Sequence, residues 1–183
     1  MDIKLKNVRL SFPDLFVAKE FKPGDGKPRY SATFLIEPGS ENDKIIREAI
    51  NAEAKETWGE KWQKVLAGIM GQKNQCAYLD GNTKSYDGYE NMWSLSCHRA
   101  AKQGRPTVVD ADRTPLSQDD GKPYAGCYVY ANVSIYCQKG ENPGVRASFA
   151  GIQFFRNGEP LSGGKASSID DFEELETVEE DFV

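Results

Sequence analysis

The spacing of hydrophobic and polar residues changes period twice along this chain. Residues 3–12 alternate loosely and predict a first strand, with Lys4 and Lys6 on one face. Residues 29–36, RYSATFLI, predict a second strand. It sets Tyr30, Ala32, Phe34 and Ile36 against Arg29, Ser31, Thr33 and Leu35 on the opposite face. Between them VAKEFKPGDGKP (17–28) is rich in Gly, Pro and Lys, the composition of a loop or long hairpin connection. The period then lengthens. Ile46, Ile50, Ala54, Trp58, Trp62 and Leu66 recur at every fourth position, with Val65 and Ile69 alongside, as in one amphipathic helix. Ser40, three residues before Asp43, starts it like a capping box with Asp in place of Glu. Gly59 interrupts it, and Gly68 or Gly71 stops it. Trp58 and Trp62 belong to that packed stripe.

Beyond the helix the pattern returns to strand and turn. Strands are predicted at 75–80, 92–100, Thr107–Asp110, 126–138 and 145–156. The polar loop DGNTKSYDGYEN (80–91) and the segments AAKQGRP and TPLSQDDGKP separate them, and a Gly-rich exit, NGEPLSGGKASS, follows the last. No repeat occurs at a solenoid or propeller period. Five or more strands with one long helix inserted between early ones predict a mainly β fold, a small barrel rather than a sandwich.

Charge divides the chain. The net is −5, from 23 basic and 28 acidic residues among 183. The last fourteen residues, DDFEELETVEEDFV, hold eight of those carboxylates and no base. The rest has 23 basic against 20 acidic residues, a net of +3. Like charges repel, so a single domain at 1–169 is expected to carry a solvated, disordered acidic arm at 170–183. On charge alone that arm reads as either a solubility tail or a regulator.

No apolar run approaches the roughly 18 residues of a membrane span, and the start, MDIKLKNVRLSF, lacks the apolar core of a signal peptide. A cytoplasmic protein without membrane association is expected. Cys76, Cys97, Cys127 and Cys137 form no C-x-x-C and fit no zinc spacing, so reduced thiols and no metal are expected.

Candidate chemistry concentrates in 126–138. Val129, Ala131, Val133, Ile135 and Cys137 alternate onto an aliphatic face, while the polar face carries Tyr128, Tyr130, Asn132, Ser134, Tyr136 and Gln138. Three tyrosines on a polar strand face serve either as cross-strand packing or as a platform on which bases stack. Arg29, Lys84, Arg99, Lys102, Arg105, Arg113, Arg146 and Arg156 fall among Tyr30, Tyr86, Tyr89, Trp93, Tyr124 and Phe154. A single-strand groove needs that mixture: cations for phosphates and rings for bases.

Enzyme signatures are sparse. His98 is the one histidine, and the neighbouring Cys97 points to the opposite strand face. No phosphate-cradling Gly loop or nucleophile elbow is present. Asp110/Asp112 and Asp119/Asp120 suit either Mg²⁺ binding in a nuclease or turns beside Pro and Gly.

Several runs together carry a family resemblance. Asp80-Gly81, Tyr86-Asp87-Gly88-Tyr89, RPTVVDAD (105–112), YAGC (124–127) and GIQFFRNGEPL (151–161), with Phe172 beyond, occur in an order that resembles the Enc34-like OB-fold family of bacteriophage single-stranded-DNA-binding proteins. The resemblance spans about residues 1–172. It implies a five-stranded Greek-key barrel that binds single-stranded DNA without sequence preference and needs no cofactor. The closing Asp181, Phe182 and Val183 are similar to the acidic, apolar-tipped ends with which such proteins dock partners, although Phe182 is penultimate and no Pro precedes it.

The expectation is therefore a non-enzymatic protein of phage replication or recombination, in the cytoplasm of the infected host. Tyr128, Tyr130, Tyr136 and Trp93 would stack bases, and Tyr86, Tyr89 and the cations would complete the interface. The tail would reach a polymerase, helicase, nuclease or recombinase, and a homodimer stays open. Two other classes stay open as well: a structural or interaction protein without DNA binding, and a metal-dependent nuclease.

Overall fold

A computed structural model describes residues 1–161 and 169–177. Five strands close a barrel: β1 (Asp2–Lys19), β2 (Arg29–Ile36), β4 (Trp93–Ala100), β6 (Tyr128–Gln138) and β7 (Gly144–Arg156). β1 pairs antiparallel with β2 and β6, β2 with β4, and β6 with β7; a parallel contact at His98–Ser148 joins β4 to β7. Short strands β3 (Tyr78–Asp80) and β5 (Thr107–Val109) extend the sheet beside β4 and β7.

The second strand has its expected bounds. The first does not end at residue 12, because it bends instead of stopping. Asn7 and Phe12 adopt positive φ, 53° and 45°, at register shifts that interrupt pairing with β6 and then with β2. Such bulges sharpen twist and let one strand serve two neighbours around a barrel. Leu5, Val8, Leu10 and Leu15 still reach the core.

The predicted single helix is two: α1 (Glu41–Trp58) and α2 (Trp62–Ile69). Gly59, at φ 59° and ψ −137°, takes a conformation that side chains rarely adopt and breaks the axis. Ser40 caps α1 by accepting from the Asp43 amide at 3.2 Å. Asp43 turns back one residue further than a capping box requires, to the Gly39 amide at 2.9 Å. Ile46, Ala49, Ile50 and Ala54 lie against the core, and Asn42 bonds both the N–H and the C=O of Lys6, tying α1 to β1. Trp58 and Trp62 pack against the core while half-buried.

Asp43 also fixes the helix to the sheet. Its carboxylate accepts from the buried Tyr78 hydroxyl at 2.7 Å and from Arg47 at 2.8 Å. Burial opposes its charge, but the Gly39 amide, Tyr78 and Arg47 outweigh that and hold its pKa below the usual carboxylate value. The Arg47 guanidinium covers Trp93 at 4.6 Å and Tyr78 at 5.4 Å.

Residues 169–177 are exposed, with one short turn at Ile169–Asp171. The expected docking tip, Asp181, Phe182 and Val183, lies outside the described residues.

Candidate nucleic-acid interface

β2 and β4 turn Ser31, Thr33, Ser96 and His98 away from the core, and these small or polar side chains floor a cleft of about 1080 Å³. β1, the 20–28 loop and the 81–92 loop raise its rims, and Tyr136, Gln138, Arg146 and Ala147 close the far end. The floor is wide because, His98 apart, short side chains stand on it. Access is wide as well, since two of the rims are loops.

Rings and cations alternate around this cleft. Phe12, Tyr86 and Tyr89 form one cluster, with centroids 4.9 Å apart for Phe12–Tyr86 and 5.2 Å for Tyr86–Tyr89. Phe21 stands 72% exposed from its loop, with the Arg29 guanidinium 4.8 Å from its ring centre. Tyr136 and Arg146 are cross-strand partners at the far end.

The charges are distinctive for what they lack. Among the described residues Arg29, Lys73, Lys84 and Arg146 form no salt bridge, and of the lining cations only Lys19 does, with Asp14 at 2.7 Å. Glu20, another lining carboxylate, spends its oxygens on the Gly24 and Gly26 amides. Burial and the neighbouring Lys73 push the Lys84 pKa down. Like charges held together without a carboxylate are an electrostatic cost that a polyanion would relieve. His98 is exposed at the cleft surface but walled by its neighbours; that desolvation, with the Arg29 cation, lowers its pKa to about 4. It therefore offers a neutral ring at neutral pH.

The expected residues divide among several places. Arg29, Lys84, Arg146, Tyr86, Tyr89 and Tyr136 come together in the cleft. Tyr89 differs from its expected role: it is 1% exposed and donates its hydroxyl to Ser11 at 3.0 Å, so it supports the cluster from beneath. Tyr128 and Tyr130 do not line the cleft. Tyr128 and Tyr136 are eight residues apart, roughly 26 Å along a strand, and the barrel curves within that length. Tyr128 lies under the Arg156 guanidinium at 3.7 Å, and Tyr130 leans on Phe155 at 5.3 Å.

Trp93 likewise does not line the cleft; Arg47 covers it and Tyr78 flanks it at 5.2 Å. Arg99 clamps the 101–104 turn, donating to the Gln103 and Gly104 carbonyls at 2.8 Å each. Lys102 and Arg105 are exposed, with Arg105 5.9 Å from the Phe16 ring centre. Of the further residues weighed, Phe154 is buried, Tyr30 packs half-buried on the core, and the Tyr124 hydroxyl bonds the 157–158 segment. Asp110 pairs with Lys122 at 2.8 Å, Asp112 accepts from the Thr114 amide and Asp120 from that of Ser117, so these carboxylates build turns.

Sequence reasoning missed Phe12, Phe21, Lys19, Lys73 and His98 as cleft residues. Phe21 left a readable signal, a lone aromatic in a loop of Gly, Pro and Lys. Phe12 left none, because its positive φ removes it from the alternation that placed it in a strand.

Motif residues that prompted the family resemblance are largely architectural. A side chain at Gly158 would meet the backbone of Gly126, and one at Gly81 would meet the carbonyls of Tyr89 and Met92. Arg9 secures the first crossing, donating to the carbonyls of Gly126 at 3.2 Å and Glu159 at 2.6 Å.

Against known proteins, the family model described as Enterobacter phage Enc34, ssDNA-binding protein, matches residues 1–183. A relative, protein p50 of Acyrthosiphon pisum secondary endosymbiont phage 1, is 42% identical over 99% of this chain and 97% of its own length. Among solved structures, the single-stranded DNA-binding protein from bacteriophage Enc34 in complex with ssDNA aligns with a TM-score of 0.70 at 24% identity, covering 87% of this chain and 88% of that one. The single-stranded DNA binding protein gp2.5 encoded by bacteriophage T7 aligns with a TM-score of 0.60 at 14% identity, covering 97% and 98%. Both share the OB-type barrel.

Proposed function

This chain belongs to the Enc34 single-stranded-DNA-binding family of phage proteins, and from that membership we propose that it binds single-stranded DNA, without sequence preference, along the cleft over β2 and β4. The supporting observation is the set of cleft cations without carboxylate partners, set between exposed rings. Arg29, Lys73, Lys84 and Arg146 neutralise phosphates and release counterions; Phe21, Tyr86 and Tyr136 stack bases. Stacking tolerates any sequence because every base has a π-face.

Titration of labelled oligo-dT over a range of salt tests this. Log affinity should fall linearly with log salt, by about 0.7 per neutralised phosphate on a single strand. No binding at low salt would overturn the reading and leave an interaction protein in its place.

The acidic arm, 170–183, competes for the same cations when DNA is absent and is released for a protein partner when DNA binds. Its eight carboxylates, an exposed segment at 169–177 and the cleft cations without carboxylate partners support this. The partner would be a polymerase, helicase, nuclease or recombinase of phage or host, reached through Asp181, Phe182 and Val183. Deleting residues 170–183 should tighten ssDNA binding most at low salt, where charges are least screened. Unchanged or weaker affinity would remove the competition.

A further inference from the structure

On the flank made by β1, β6, β7 and β5, one cross-strand row runs Lys4, Asn132, Gly151, Thr107. Three of these positions carry polar side chains and Gly151 carries none, so the row opens into a hollow of about 340 Å³. The next row contributes Tyr130 and its partner Gln153, and Arg113 reaches the rim from the loop after β5. This hollow shares no lining residue with the cleft.

Its chemistry is that of a nucleotide site. Phe155 backs Tyr130 at 5.3 Å, which holds the ring for stacking. Gln153 donates from its side-chain nitrogen to the carbonyls of Asp110 (3.3 Å) and Ala111 (3.2 Å); this fixes the amide and leaves its oxygen as an acceptor. Asn132 is exposed and offers both donor and acceptor. Among the described residues Lys4 and Arg113 form no salt bridge, whereas Asp110 on the same loop is taken by Lys122 at 2.8 Å. The volume is at the lower end of the roughly 300–1,000 Å³ typical of small-ligand sites, which suits one nucleotide rather than an oligonucleotide.

The strand β6 joins hollow to cleft. Tyr136 closes the cleft and Tyr130 lines the hollow, on the same strand face and six residues apart, roughly 20 Å. Ser134 and Asn132 between them are small and uncharged, so no ring on β6 blocks the way; Asp2 of β1, the cross-strand partner of Ser134, sets a carboxylate beside the path. At the duplex rise of about 3.4 Å per nucleotide, no more than about six nucleotides cover that distance.

We propose that this hollow is a second single-strand subsite, taking one unstacked base on Tyr130 and its phosphate between Lys4 and Arg113 from DNA that has left the cleft past Tyr136. The proposal rests on the cleft being the primary DNA site, and length-dependent binding separates the two.

Fluorescence anisotropy would be read with labelled oligo-dT of about 4 nucleotides, the lower end of what one OB fold occupies and too short to reach from the cleft to the hollow, and with oligo-dT of about 20. The wild type should bind the longer strand more tightly than lattice statistics give. Tyr130→Ala should lose about fivefold to a hundredfold on the long strand, the range for one stacked base, and leave the short one unchanged. Arg113→Ala, at an exposed loop position remote from the core, should lose the same length-dependent gain in smaller measure. A loss equal on both lengths, or no loss on either with both variants folded by thermal melt, overturns the subsite. Tyr136→Ala is the control for the cleft: if it leaves short-strand affinity untouched, the cleft reading fails independently of the result at Tyr130.

Discussion

Two arginines lie over aromatic rings on different sides of this barrel, and their surroundings give them different roles. Arg47 covers Trp93 at 4.6 Å and is held by Asp43 at 2.8 Å, which also takes the Tyr78 hydroxyl. Arg29 sits 4.8 Å from the ring centre of Phe21, but among the described residues it forms no salt bridge and its ring stands 72% exposed. Both pairs are a cation beside a ring. The carboxylate makes the first a fastening of helix to sheet; its absence leaves the second with charge and π-face both unspent. A cation-aromatic pair marks a nucleic-acid surface only where no acid has already claimed the cation.

The sharpest way to break that comparison is to remove the acid. Asp43→Ala leaves the Tyr78 hydroxyl and the Gly39 amide without their acceptor and Arg47 without its counter-charge. It should cost about 3 kcal/mol of folding stability in urea denaturation, with ssDNA affinity unchanged at a temperature where the variant is folded. The pH dependence has a defined sign. Since the folded-state pKa of Asp43 is depressed, its contribution is fully present above the ordinary carboxylate value and is lost as pH falls through the lower folded value. Asp43→Asn should therefore flatten the acid limb of the stability profile. An unchanged acid limb would mean the network does not hold α1.

Next in size are the rings of the open pair's side. Phe21→Ala and Tyr136→Ala should each cost about 1–3 kcal/mol of ssDNA affinity by fluorescence titration, with melting temperature nearly constant. A fall in stability without loss of affinity would move these rings into the same class as Trp93.

Arg29→Gln should change affinity less but alter its salt dependence. Losing one phosphate contact lowers the slope of log affinity against log salt by about 0.7. The matched change, Arg47→Gln, should leave the slope alone. If the two slopes fall together, the carboxylate does not decide a cation's role.

How much of this was legible beforehand follows from the range of the interactions involved. β2 is legible to the residue because a strand-period run bounded by Pro28 and Pro38 is local information. The capping of α1 and its break at Gly59 were legible for the same reason. β1 reads short in the sequence because the bulge at Phe12 precedes Pro13 and mimics a strand end, while the pairing that carries the chain onward is with Ser31 and Arg29. In the candidate site, residue types were readable but partnerships were not. Arg47 meets its acid four residues away, yet that acid's other partner, Tyr78, is 35 residues distant. Tyr128, Tyr130 and Tyr136 share a face by parity, but parity does not report how far a coiled strand carries each around the barrel.

The smallest expected effect bears on Trp93, which its place among Arg and Lys residues in the sequence offers as a stacking ring. Trp93→Phe keeps a ring in β4 and the apolar contact with Tyr78 but weakens the hold on Arg47, because Trp is the best cation-π partner among the aromatic side chains. Stability should fall by about 0.5–1 kcal/mol, the range for such a contact at a partly exposed site. The ssDNA affinity should stay within about twofold, well below the cost of removing a stacked base. The two readouts separate the roles: a stacking Trp93 would lose affinity in proportion to ring area with little change in melting, and a fastening Trp93 does the reverse. If affinity drops while stability holds, Arg47 must lift away when DNA arrives, and the closed pair would be a second open one waiting for a ligand.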